Sequence, residues 1–197
     1  MLPLILGIVI FLGVHLVPTS PDLKAGLTER FGATAYKVAF GVLSLAGLVL
    51  IVVGYHKLQL MPDKNVVLWD PPAFTRHIAV ALMLPAMIFL MAYLVPSRIR
   101  TAVKHPMLIA IKTWALAHLI ANGDLASLIL FGSFLAYAVY DRITLKRRVT
   151  TAPVNVMAPS PINDVIVVVG GIVLFAVILL WAHQYLIGVA PIPQISA

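Results

Sequence analysis

The chain has no cysteine, and only seven of its 197 residues are acidic. The first absence removes disulfides, thiolate metal sites, cysteine-ligated iron–sulfur clusters and covalently attached c-type haem. Any metal or cofactor must therefore be held by histidine, carboxylate or backbone groups. The seven acids all fall in loops or at the ends of apolar runs, so the paired intramembrane carboxylates of a proton pump are missing. Also absent are a phosphate-binding glycine loop, a His-Glu-x-x-His zinc motif and a Gly-x-Ser-x-Gly elbow. No repeat of fixed period and no inverted repeat of the transporter kind can be found.

What is present is apolar: 61% of residues are hydrophobic and 11% charged, more grease than one soluble core of this length could hide. The net charge of +7 comes from Lys and Arg placed between apolar runs, where the positive-inside rule puts them. It reads as membrane topology rather than as a nucleic-acid surface, and membrane lipid is the expected surroundings.

The pattern predicts an all-α, polytopic transmembrane bundle of about six helices forming a single domain, 1–197. Leu2 to Val17 reads as a retained first span, lacking a basic n-region, and Pro18 and Pro21 stop it. Leu23 to Ala33 reads as a polar connection. A second span covers about Thr34 to Tyr55, and Leu58 to Thr75 is too polar and proline-rich to cross. The third span, His77 to Leu94, carries a kink at Pro85. Pro106 suits the first turn of a fourth helix, Asn122-Gly123 reads as its left-handed end, and Asp124 caps a fifth helix from Leu125 to Tyr140, so spans four and five form a tight hairpin. Thr150 to Pro161 reads as a flexible linker, and the sixth span, Ile162 to about Ile187, contains the small pair Gly170-Gly171. Six crossings put both termini on one side. The basic first, third and fifth loops make that side periplasmic in a bacterial inner membrane.

The stretch from Lys104 to Asp124 carries the residues that lipid tolerates least. His118 lies one turn before the hairpin tip, with Trp114 four residues upstream on the same face. A neutral imidazole in a bundle is a ligand for haem iron, zinc or copper, or else a packing residue bonded to a neighbouring helix. His15, one turn beyond Phe11 in the first span, is the natural second ligand, and an interfacial role beside Pro18 is its alternative. Lys112, mid-helix, either pairs with a cofactor carboxylate or an acid such as Asp124, or snorkels. His105 reads as a helix cap, and His56, His77 and His183 as interfacial residues. Arg98, Arg100 and Lys104 suit either propionates or lipid phosphates.

His105-Pro106-Met107-Leu108, Trp114-Ala115-Leu116-Ala117-His118-Leu119, Ala121-Asn122-Gly123-Asp124 and Tyr140-Asp141-Arg142, together with His15, Gly32-Ala33-x-Ala35-Tyr36 and Tyr55-His56, resemble the NnrU family of bacterial integral membrane proteins. The resemblance covers most of the chain. It implies a link to denitrification, through nitrite and nitric oxide reduction, and kinship with the plant zeta-carotene isomerase, a haem b enzyme that turns a cis double bond of a carotenoid to trans. By that resemblance His15 and His118 would be axial ligands of haem b, with His105 and His56 matching other histidines of the isomerase and a polyene as the substrate; on that reading Trp114 and Lys112 would shape the pocket and His105 would border the cofactor. Leu16-Val17 departs from the small polar pair that follows the isomerase's first-span histidine. The run Lys104-His105-Pro106 also resembles an Arg-His-Pro element of membrane methyltransferases, but their downstream acids are missing.

Six full spans place His15 and His118 toward opposite ends of their helices, more than about ten ångström apart by the helical rise. The axial pairing therefore requires a re-entrant hairpin or a first helix shifted in depth. Two functions of different class follow: a haem-dependent factor or cis-trans isomerase, and a non-enzymatic assembly or regulatory subunit whose hairpin binds a membrane partner protein.

Overall fold

A computed structural model describes residues 1–147 and 160–192. Arg148 and most of the linker expected over Thr150 to Pro161, residues 150–159, lie outside the described residues. Nine α-helices are described: α1 Leu2–Leu16, α2 Pro21–Phe31, α3 Ala33–Gln59, α4 Phe74–Leu94, α5 Arg98–Val103, α6 Pro106–Ala121, α7 Leu125–Arg147, α8 Pro161–Val177 and α9 His183–Ile187. A π-helical turn, Ile178–Ala182, joins the last two into one rod. Five helical segments are long and apolar enough to cross a membrane, and α6, with 16 residues, is the shorter sixth. At 1.5 Å per residue it reaches about 24 Å, short of the roughly 30 Å hydrocarbon core.

The faces of α3 explain its placement. Gly47, Ile51, Gly54, Tyr55 and Leu58 recur at steps of three and four and are buried, which forms one stripe of a helix. Val38, Val42, Leu45 and Val49 lie outside that stripe and are exposed, as lipid-facing residues must be. Along the stripe α1 approaches unusually closely. A Cβ on Gly7 would stand 2.7 Å from the Ile51 nitrogen and 2.8 Å from the Gly47 oxygen, and one on Gly47 would stand 2.8 Å from the Phe11 nitrogen. Small residues at these points let two antiparallel backbones touch, the usual device where lipid supplies no hydrophobic drive for association.

Helix α8 meets α4 in the same way. A Cβ on Gly171 would fall 2.7 Å from Ile88 Cα, and Gly170 faces the Met91 side chain. The start of α8 is fastened by polar groups. Asp164 accepts from the Arg98 main-chain nitrogen at 2.8 Å and pairs with Arg98 Nε at 2.8 Å, while Asn163 Nδ2 donates to Pro96 O at 2.7 Å. Arg98 is thus committed to a helix junction, at the opposite end of the bundle from His118.

Several expectations need correction. The connection expected over Leu23 to Ala33 is mostly the helix α2, whose side chains are not buried. Its Pro21 N-terminus and Gly32 end, at φ 84°, are helix punctuation that balanced charge had masked. Helix α7 continues past Tyr140 to Arg147. Asn122 is extended, at φ −126° and ψ 136°, and Gly123 is not among the positive-φ residues. The turn therefore does not use a left-handed residue, and Gly123 is small for another reason. The loop between α3 and α4 lies across it: Leu68 N and Trp69 N donate to Gly123 O at 2.8 and 3.2 Å, and Leu125 N donates to Val66 O at 2.9 Å. A Cβ on Gly123 would collide with the Trp69 carbonyl. His105 occupies the N-cap position of α6, but its side chain makes no cap hydrogen bond.

Candidate functional site

Helices α3, α4, α6, α7 and the α8–α9 rod line a partly open cavity of about 430 Å³, within the range of ligand pockets. Its walls are mostly apolar, with Met83 and Met87 from α4, Phe131 and Phe134 from α7 and Phe175 from α8. Lining positions on α3 run from Leu48 to Gln59, about 16 Å of helix by the standard rise.

Polar groups gather at one end. His118 lines the cavity, and its Nδ1 lies 2.8 Å from Trp114 O. A carbonyl can only accept, so Nδ1 carries the proton and Nε2 keeps its lone pair. The His118 ring stacks on Phe131 with centroids 4.4 Å apart, and Trp114 meets Phe131 and Phe134 edge-on at 4.9 and 5.4 Å. Asn122 Nδ2 donates to His118 O at 2.8 Å, tying the imidazole's own peptide to the hairpin tip. Gln59 also lines the cavity, with a buried amide nitrogen that has no hydrogen-bond partner among the described residues. Such an orphan donor is costly unless something pairs with it. Arg76 is the cation at the lining.

A second polar cluster supports this end from behind. Asp124 Oδ1 accepts from Asn65 Nδ2 at 2.7 Å and from Ser127 N at 2.9 Å, and Oδ2 accepts from Ser127 Oγ at 2.6 Å. Ser127 Oγ in turn lies 2.7 Å from the hydroxyl of Tyr55, which also lines the cavity. Asp124 caps α7, as its position before the helix foretells. Its carboxylate is engaged by Asn65 and Ser127 and is not the partner of Lys112. Sequence reading did not foresee the roles of Asn65 and of the Tyr55 hydroxyl, whose partners Asp124 and Ser127 lie 59 and 72 residues away and leave no local pattern.

The structure brings Trp114 and His118 together at the cavity. It does not bring His15, Lys112 or His105 there. His15 bonds through Nδ1 to Phe11 O at 2.7 Å, stacks on Phe11 with centroids 4.2 Å apart and faces Phe40 at 5.0 Å. Between it and His118 stand the rings of Phe11, Phe134 and Trp114 in sequence, each about 5.5 Å from the next. His15 and His118 are thus linked through a chain of ring contacts and do not line the same cavity. His183, expected at the interface, is instead a cavity residue. Among the described residues no group of three or more His, Cys, Asp or Glu could hold a metal ion.

These features define a polytopic helical membrane protein with an apolar cavity and a histidine-bearing polar end. The NnrU protein family model matches residues 3–191, and the chain belongs to that family. No curated protein and no solved structure matches it.

Proposed function

We propose that this NnrU-family chain is a haem b-binding protein of the bacterial inner membrane, serving nitrogen-oxide respiration, the setting its family resemblance implies. The observation that carries the reading is His118. Its ring borders an apolar cavity, with Nδ1 tied to a main-chain carbonyl and Nε2 left as a donor atom, as in metal-ligating histidines, whose other ring nitrogen is held by a carbonyl or carboxylate. The cavity suits such a cofactor in three further ways. Its walls are apolar and aromatic, Arg76 provides a cation for a carboxylate, and Gln59 offers an unpartnered donor.

Bound haem would supply iron-centred electron transfer and Lewis acidity. The chain's own work is holding and screening. Trp114 O fixes the imidazole tautomer, Phe131 fixes the ring plane, and the loop crossing Gly123 braces the hairpin tip just beyond His118. Arg98, Arg100, Lys104, Arg142, Lys146 and Arg147 gather at the far end, which the positive-inside rule assigns to the cytoplasm. The cavity and both termini then belong to the periplasmic side.

A second reading, a redox-dependent cis-trans isomerase of a polyene, is favoured by the apolar lining along α3. Comparing polyene isomers in cells with and without the gene tests it. The haem reading is tested by visible spectroscopy of the purified protein. A Soret band that is lost in His118→Ala supports it. Colourless protein that takes up no added haemin would overturn it and leave a non-enzymatic assembly or regulatory subunit.

A further inference from the structure

We propose that His183 is the second imidazole of this site and that His118 and His183, rather than His118 and His15, hold one iron between them. The proposal rests on the haem reading above and concerns only which side chains complete it.

The two rings line one cavity, with centroids 6.3 Å apart and planes 15° from parallel. That separation is too long for face-to-face contact of the kind His118 makes with Phe131 at 4.4 Å. It matches two imidazoles on opposite sides of one metal: each nitrogen lies roughly 2 Å from the ion in metal–imidazole bonds, and each ring centre lies about 1 Å further out, so the centroids stand on the order of 6 Å apart.

Both rings are prepared in the same way. His118 Nδ1 donates to Trp114 O at 2.8 Å and His183 Nδ1 donates to Val189 O at 2.6 Å. In each case the acceptor is a carbonyl, so Nδ1 carries a proton, and in the neutral ring Nε2 is the nitrogen left with a lone pair. Two neutral imidazoles with their inner protons tied to the main chain are ready donors, and no proton has to leave on binding.

The chain around His183 is shaped for that placement. The π turn Ile178–Ala182 ends immediately before it, and such turns insert an extra residue into a helix, often at functional sites. Phe175, Ile178, Leu179 and His183 all line the cavity. In a straight α-helix four-residue steps drift around the rod, and the wider turn takes up that drift. After α9, Gly188 adopts φ 87°, a left-handed conformation that favours glycine. The chain folds back there, so that Val189 O reaches His183 and Val189, Ala190 and Pro191 cover the cavity. His56 Nδ1 donates to Leu186 O at 3.0 Å and fastens this end to α3. His15 shares the Nδ1–carbonyl bond, to Phe11 O at 2.7 Å, but it is not among the lining residues and makes no ring contact with His118 or His183.

The test is absorption and electron paramagnetic resonance spectroscopy of the full chain, purified in detergent from haem-supplied cells, as wild type, H15A, H118A, H183A and H183Q. The wild type is expected to show a six-coordinate, low-spin, bis-imidazole spectrum, with H15A unchanged. H183A and H183Q should retain haem but become high-spin, and added imidazole should restore the low-spin signal, which mere misfolding would not permit. H183Q keeps an amide that can bond to Val189 O, so it separates ligation from anchoring. Low-spin H183A and H183Q beside high-spin H15A would overturn the proposal while leaving the haem reading standing. Wild type that binds no haem would overturn both.

Discussion

The carbonyl of Trp69 lies directly against Gly123, so the loop between α3 and α4 and the tip of the α6–α7 hairpin touch backbone to backbone. Glycine is required there by contact, not by conformation. Gly123→Ala must push the loop away and lose the bonds from Leu68 N and Trp69 N. A loss of about 1–3 kcal/mol, typical of overpacking, is expected as a lower melting temperature in detergent.

The α1–α3 contact allows a paired comparison. Gly7→Ala brings a Cβ to within 2.8 Å of main-chain atoms on α3, whereas Gly13 has nothing within 4 Å of its would-be Cβ. Gly7→Ala should destabilise by about 1–3 kcal/mol. Gly13→Ala, in the last turn of α1 and in open space, should be neutral or stabilising by up to about 1 kcal/mol. Thermal denaturation of the two variants side by side decides it, and equal effects would contradict the close packing.

The Asn65–Asp124–Ser127–Tyr55 cluster should behave as one unit. Asp124→Ala removes the acceptor for Asn65 Nδ2, Ser127 N and Ser127 Oγ together, and stranded buried donors cost about 1–3 kcal/mol each. Tyr55→Phe removes one bond and should cost about 1 kcal/mol. In a double-mutant cycle the Ser127→Ala and Tyr55→Phe losses should be non-additive.

His105 lies outside the membrane-spanning segments. Burial, then the neighbouring charge of Arg142, lower its pKa below the ordinary 6.5, with Asp141 opposing and Lys104 adding to the lowering. The folded state therefore favours the neutral imidazole. Its contribution to stability is full above the unfolded value of about 6.5 and is lost as pH falls from there through the folded value. In a proton NMR titration His105 should titrate below 6.5, and Arg142→Gln should move its midpoint upward.

Membrane spans were plain in the sequence because their signal is local: an unbroken apolar run long enough for the hydrocarbon core. Pro106 at the start of α6 and Asp124 at the start of α7 were legible for the same reason, since a helix end is specified by its own few residues. The hairpin at Asn122-Gly123 was found by composition, yet its cause was different, because the Trp69 carbonyl comes from more than fifty residues away. His118 stood out as a polar residue in an apolar helix. His183 did not, because it sits near the end of a span where histidine is ordinary.

The amino-acid order by itself therefore determined a helical membrane protein, its approximate crossings, the hairpin and the presence of a histidine, His118, in an apolar helix, all properties set by local hydrophobicity and helix punctuation. Only the tertiary structure decided which histidines meet. The depth of each ring depends on close glycine contacts between α1 and α3 and between α4 and α8, and on a π turn and a left-handed Gly188 that re-aim the end of the last helix. Those are relations between distant backbones, and no single stretch of sequence carries them.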